Sequence, residues 1–260
     1  DLHSFPTRRS SDLQLAYPAK FPAFIATKAF DYAAQEGVNV KTVADIFCGC
    51  GTVALEAKLH SKVFWGCDIN PVATLIARTK STAYDLDTLT KYYEQINATY
   101  EAMEINHKFY AEANEQLKYW FTENSYIELY KIKKSIEAIV PEGNYQDAFL
   151  CLFSSILKTS SKWLTKSIKP QVDPNKEEVV VWDVFRQHFE KFSKAINQID
   201  SCVFTPAAIN IENANFLDFE NYPKVDLIIS SPPYVTSYEY ADLHQLSTLW
   251  LPAGDRKSVV

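Results

Sequence analysis

Apolar residues recur along the chain in two different rhythms, and the change between them divides it. Towards the N-terminal side, short apolar runs alternate with helical stripes. A proline-punctuated lead-in, Tyr17-Pro18-Ala19-Lys20-Phe21-Pro22, precedes a stripe that predicts a helix to about residue 35, closed by Gly37. Residues 41–47 read as a buried strand and 51–60 as the helix after it. Residues 61–67 read as a second strand ending on Asp68, and Pro71 opens a helix through about residue 84. Strand, glycine turn, helix, strand and acidic residue are the first half of a doubly wound α/β sheet.

From residue 86 to about 199 the rhythm is helical throughout. Leu86, Leu89, Tyr93, Ile96, Tyr100 and Met103 fall at three- and four-residue steps, and similar stripes cover 126–140, 147–157 and 181–199. Breaks fall at Pro141-Glu142-Gly143 and across 169–174, and no internal repeat is visible. The alternating rhythm then returns, with 207–211 as a third strand, 225–230 as a fourth, and 235–250 as a loop and partly helical segment. The predicted fold class is therefore α/β, a Rossmann-like doubly wound sheet of about four strands with a large helical insertion between strands two and three. The α/β domain takes 14–85 and 200–253, the insertion 86–199. Set against a seven-stranded sheet this is an incomplete domain.

Composition adds a few bounds. At 260 residues, with 47% hydrophobic and 22% charged residues, the chain fits one large globular domain or one domain with an insertion. No apolar stretch approaches the length of a membrane span, and the first residues lack a secretory layout. Five cysteines are an odd number; reduced thiols in a cytoplasmic protein fit them best. Cys48 and Cys50 have no second pair or His cluster beside them, so they read as small loop fillers and no metal is expected. The net charge of −6 is unusual for a protein that binds phosphates, and leaves room only for a local basic groove. Residues 1–13 and 254–260 resemble translated sequencing-adapter sequence and are set aside as non-native.

Two segments carry candidate chemistry. Asp45-Ile46-Phe47-Cys48-Gly49-Cys50-Gly51-Thr52 places two glycines after the first strand, where the backbone must turn tightly and let a ligand approach. Asp68, at the end of the next strand, is placed to accept the hydroxyls of a ribose. Read alone, these are equally a strand-to-helix turn and a surface Asp beginning a turn with Asn70-Pro71. The second segment is Ser231-Pro232-Pro233-Tyr234, after the apolar run of the fourth strand. The Ser231 hydroxyl and Pro232 carbonyl can accept hydrogen bonds from an exocyclic amine, and the Tyr234 ring can stack on a flat base. Read alone, this is a proline-stiffened loop. Lys158, Lys162, Lys166 and Lys169 around Trp163 read as a phosphate-tracking patch or a solvated helix end, and Tyr240 and His244 as residues of a helix face or substrate contacts.

Taken together, the glycine turn and the Ser-Pro-Pro-Tyr element resemble the signature pair of the S-adenosylmethionine-dependent DNA amino-methyltransferases, over 17–84 and 207–251. The resemblance implies S-adenosyl-L-methionine as cofactor and duplex DNA with a flipped base as partner. It implies a cofactor site of Phe21, Asp45, Phe47, Gly49, Gly51, Thr52, Asp68, Ile69 and Asn213, with Asp218 as the alternative to Asn213. It implies catalysis by Ser231, Pro232, Pro233 and Tyr234 through direct displacement, without a cysteine nucleophile or a metal. Ser at the first position is commonest among the cytosine-N4 enzymes, whereas Asp or Asn is usual for adenine-N6. The Pro-Cys pair of C5-cytosine chemistry is absent from the sequence. RNA amine methyltransferases use closely similar loops, protein-glutamine enzymes usually carry Asn-Pro-Pro-Tyr, and a cofactor-binding but inactive fragment is a reading of a different class. The leading expectation requires the turns after the first and fourth strands to converge.

Overall fold

The computed structural model describes residues 22–167, 169–198, 207–232 and 244–251. They group into an α/β unit (22–83, 195–198 and 207–232) and a helical unit (84–194 and 244–251). Phe21, Pro233, Tyr234, Tyr240 and both adapter-like ends lie outside the described residues.

In the α/β unit, α1 (Ala23–Gln35) leads to β1 (Thr42–Asp45), α2 (Thr52–Leu59), β2 (Val63–Asp68) and α3 (Pro71–Ser81). After the helical unit come β3 (Ile209–Asn213), a 3-10 turn (Phe216–Asp218) and β4 (Leu227–Ile228). The four strands form one all-parallel sheet in the order β3-β2-β1-β4. This is the α/β, Rossmann-like architecture that the alternating rhythm predicts. The α3 start is a compact example of local coding: Asn70 caps the free amides of Val72 and Ala73 with its side chain, and Pro71 supplies a preset φ. Val43, Phe64, Ile211 and Ile229 of the strands pack with Ala26 and Phe30 of α1, Val53, Ala54 and Ala57 of α2, and Ala77 of α3. The small helical residues let the helices lie close on the sheet.

β4 is shorter than the expected 225–230, although backbone bonds flank it on both sides, Asp226 N to Thr42 O at 3.0 Å and Ile229 N to Ala44 O at 2.9 Å. At the start, the Asp226 carboxylate accepts hydrogen bonds from Lys41 N (2.8 Å), Thr42 N (2.9 Å) and Thr42 Oγ1 (2.9 Å). Those bonds hold its carboxyl below the ordinary Asp range, the Lys41 and Thr42 amides leading. A group depressed in the folded state lends stability above its unfolded pKa, and that stability is lost as pH falls through the folded value. An Asp226→Ala variant is therefore expected to melt earlier than wild type at pH 7, with the gap closing under strong acid. Thermal melts across pH check this; equal melting at neutral pH would show the pin to be inert.

The helical unit contains α4 (Leu86–Ala102), α5 (Lys108–Ala111), α6 (Glu115–Trp120), α7 (Glu123–Ile139), α8 (Asn144–Ser160), α9 (Val181–Gln198) up to Lys194, and α10 (Gln245–Trp250). Each long stripe predicted in this region is a helix. α7 begins three residues before its apolar stripe because Thr122 caps the Ser125 amide. α10, which follows the Ser-Pro-Pro-Tyr segment in sequence, packs within this unit. Its Trp250 lies against Phe121, Tyr126 and Phe153 at centroid distances of 5.9, 5.0 and 5.5 Å, and Ser247 bonds Ser154 at 2.7 Å. Two of the lysines near Trp163 bond within the fold: Lys158 donates to Ser167 O and Lys162 to Lys118 O. Trp163 itself is buried against Trp120, so no base can stack on it. Among the described residues no helix is long and apolar enough to cross a membrane.

Candidate cofactor and methyl-acceptor site

Because the sheet is parallel, the C-terminal ends of all four strands reach one edge. β1 has β2 on one side and β4 on the other, so the chain leaves β1 in one direction and returns beside it from the other. That is the switch point at which ligands bind in open α/β sheets. Asp45 ends β1, Asp68 ends β2, Asn213 ends β3, and Ser230-Ser231-Pro232 follow β4.

The glycine turn is built tightly. Gly49 and Gly51 take φ of 47° and 75°, and Gly51 begins α2, with Thr52 buried behind it. A Cβ on Gly51 would sit 2.5 Å from Ala77 Cβ and 2.8 Å from Ala77 Cα, so α3 leaves no room there for a side chain. Cys48 N bonds Cys67 O at 3.0 Å, closing the turn onto β2. Lys80, also on α3 and buried, donates from Nζ to Cys50 O at 3.2 Å. Lys80 was not among the expected residues, although a lysine one turn after Ile76 on an otherwise apolar face is a legible sign of internal duty.

Two carboxylates organise this edge. Asp68 accepts from Gly49 N through Oδ2 and from Asn70 N through Oδ1, both at 2.9 Å. Each oxygen keeps a further lone pair for a ligand hydroxyl. Asp45, 4% exposed, accepts from Phe47 N at 3.1 Å and from Ser230 Oγ at 2.7 Å, both at Oδ1. Burial pushes the Asp45 carboxyl up to about 6, with Asp68 adding repulsion and the Ser230 and Phe47 bonds opposing. Burial also raises Asp68. Neither carboxylate forms an ion pair with any described residue. Such a pair is the complement of a cationic ligand.

Around them, Phe47 and Ile69 are exposed on the turns after β1 and β2, while Ser231 and Pro232 are exposed after β4. Asn213 donates its side-chain amide to Asp68 O at 2.9 Å, which fastens β3 to β2 and leaves its Oδ1 for a ligand. The cysteines here are buried thiols: burial, then Asp68, pushes Cys67 up to about 12 and raises Cys48 as well. No cluster that could hold a metal ion occurs among the described residues. Besides Lys80, sequence reasoning missed Ser230, one position before the expected Ser231.

The structure thus sets a tight glycine turn and two acids, neither in an ion pair among the described residues, at the switch point of a Rossmann-like sheet. The chain belongs to the D12 class N6 adenine-specific DNA methyltransferase family, whose family model matches residues 29–253. It is similar to the Type II methyltransferase M.MvaI of Kocuria varians, 24% identical over 260 residues, an alignment covering 90% of this chain and 56% of that protein. The chain thus spans little more than half the length of that relative. No solved structure matches it.

Proposed function

We propose that this chain is the catalytic part of an S-adenosylmethionine-dependent DNA amino-methyltransferase that methylates cytosine N4. The observation that carries the reading is the junction of β1 and β4. These strands are hydrogen-bonded neighbours, and Ser230 reaches Asp45, so the glycine turn and Ser231-Pro232 leave the sheet side by side. The cofactor fits the residues present. Asp45 and Asp68 offer negative charge to an amino-acid ammonium, a sulfonium and the ribose hydroxyls. Phe47 and Ile69 offer apolar surface to the adenine, Asn213 an acceptor to its amino group, and Gly49, Gly51 and Thr52 the close-approach backbone; the resemblance adds Phe21 along the cofactor. When bound, S-adenosylmethionine supplies an electrophilic methyl group.

The chain's own part is positional. An amine conjugated to a base ring is a weak nucleophile, because its lone pair is delocalised. The Ser231 hydroxyl oxygen and Pro232 carbonyl accept its two N–H bonds and draw the nitrogen towards tetrahedral geometry, freeing the lone pair. Neither proline has an N–H that would compete. Tyr234 stacks on the base, which has to leave the duplex to arrive. Positioning and electrostatics then carry the rate.

Ser231 favours cytosine N4, while the description of the family favours adenine N6 as the second reading. Plasmid DNA incubated with the protein and methyl-labelled cofactor, followed by nucleoside analysis, separates them. N4-methylcytosine is the expected product; N6-methyladenine alone would transfer the assignment to the second reading, and label in tRNA but not DNA would sink both.

A further inference from the structure

The bond between Ser230 and Asp45 joins the two halves of the site. The β1–β4 ladder pairs only two residues of each strand, Val43 with Leu227 and Ala44 with Ile228, and its last backbone bond runs from Ile229 N to Ala44 O at 2.9 Å. Beyond it the exposed Ser231-Pro232 begins, and a proline cannot extend the ladder. Among the described residues, the last bond fastening this segment to the sheet is therefore Ser230 Oγ to Asp45 Oδ1, at 2.7 Å. The same oxygen accepts Phe47 N at 3.1 Å, from the second residue of the glycine turn beyond β1. One buried atom thus sets the height of both turns.

We propose that Ser230 is a positioning residue that, through Asp45, fixes the amine-accepting Ser231-Pro232 relative to the cofactor turn. The inference rests on the methyltransferase reading above and adds to it a coupling that the glycine turn and the Ser-Pro-Pro-Tyr segment do not contain separately. The bond needs ionised Asp45 as its best acceptor. The other titratable groups about that carboxylate are Asp68 and Cys67 from β2 and Cys48 from the turn; Asp68 disfavours its charge, while the two thiols, raised by burial, stay neutral.

Ser230→Ala and Ser230→Thr in the full chain test this with three measurements. Followed by carbon NMR without ligand, the Asp45 carboxyl is expected to titrate at higher pH in S230A than in wild type, because a bond favouring its charge is gone. At pH 8, S-adenosylmethionine affinity in S230A stays within about threefold of wild type, while single-turnover methyl transfer to DNA falls by about 10–100-fold, the worth of one hydrogen bond to a charged group. S230T, which retains the hydroxyl, restores both transfer and the titration. An unmoved Asp45 titration, or an S230A that transfers methyl as fast as an active wild type, overturns the inference alone. A wild-type chain that binds cofactor but modifies no DNA overturns the functional reading and the inference with it.

Discussion

Gly51→Val is expected to unfold the α/β unit at low denaturant and to abolish S-adenosylmethionine binding. Two separate effects add. At φ of 75° an L side chain collides with its own carbonyl, which costs roughly 1–2 kcal/mol and more for a β-branched residue. The new Cβ also meets Ala77 Cβ at 2.5 Å and Ala77 Cα at 2.8 Å. Neither atom can swing aside, since both belong to the frame of α3, and forced overpacking of this kind adds about 1–3 kcal/mol. Gly37 is the matched control: its φ is 76°, but nothing lies within 4 Å of the position a Cβ would take. Gly37→Ala should therefore show the conformational cost alone, about 1 kcal/mol, with cofactor binding intact. Urea denaturation and calorimetric titration of the two variants measure the difference. A G51V protein as stable as G37A would mean that the turn is not packed on α3 in the way described.

The elements that sequence reasoning located are those whose own periodicity decides them. The stripes of α4, α7, α8 and α9 and the apolar runs of β1 and β2 each carry enough apolar residues to select one face. What escaped had no period of its own to read. α5 and α6 are one or two turns long, too short for a period, and α6 is fixed by the Asn114 cap on Gln116 N. β4 shrinks to two residues, and Asp226 just before it takes the Lys41 and Thr42 amides around the start of β1. The site divides in the same way. Gly49, Gly51 and Asp68 were legible because a turn and an acid after successive strands form a local pattern. Ser230 was not, because its partner lies 185 residues away in sequence and a serine ending a strand has no local signature. Asn213, expected to meet a cofactor's adenine, also spends its amide on the carbonyl of Asp68, a duty visible only once β3 stands beside β2.

Asp45→Asn is expected to make the protein more stable and less able to hold its cofactor, a combination that a purely structural carboxylate would not give. Burial leads in lifting the Asp45 carboxyl from an ordinary 3.8 to about 6, with the charge of Asp68 a lesser contributor. The sign follows from linkage. A folded-state value above the unfolded one means stability that is fully present below pH 3.8 and lost as pH rises through about 6. Above that, the ionised side chain weighs on the fold by roughly 3 kcal/mol, about two pH units at about 1.4 kcal/mol each. Asparagine keeps an oxygen for Ser230 and Phe47 and removes the charge, although its amide then needs a partner of its own. D45N should accordingly gain about 1–3 kcal/mol at pH 8 and nothing at pH 4. On the proposed cofactor reading this charge faces a cationic ligand, so cofactor affinity should fall about 10–100-fold in D45N at pH 8. Wild-type affinity should itself decline as pH drops through about 6, because a proton then does what the mutation does, and the two affinity curves should meet in acid. Calorimetry from pH 5 to 8, with melts of both proteins, draws these curves. A wild-type affinity that stays flat across the range, or a D45N that melts earlier at pH 8, would remove Asp45 from the cofactor's charge balance and leave it a structural anchor for the two turns.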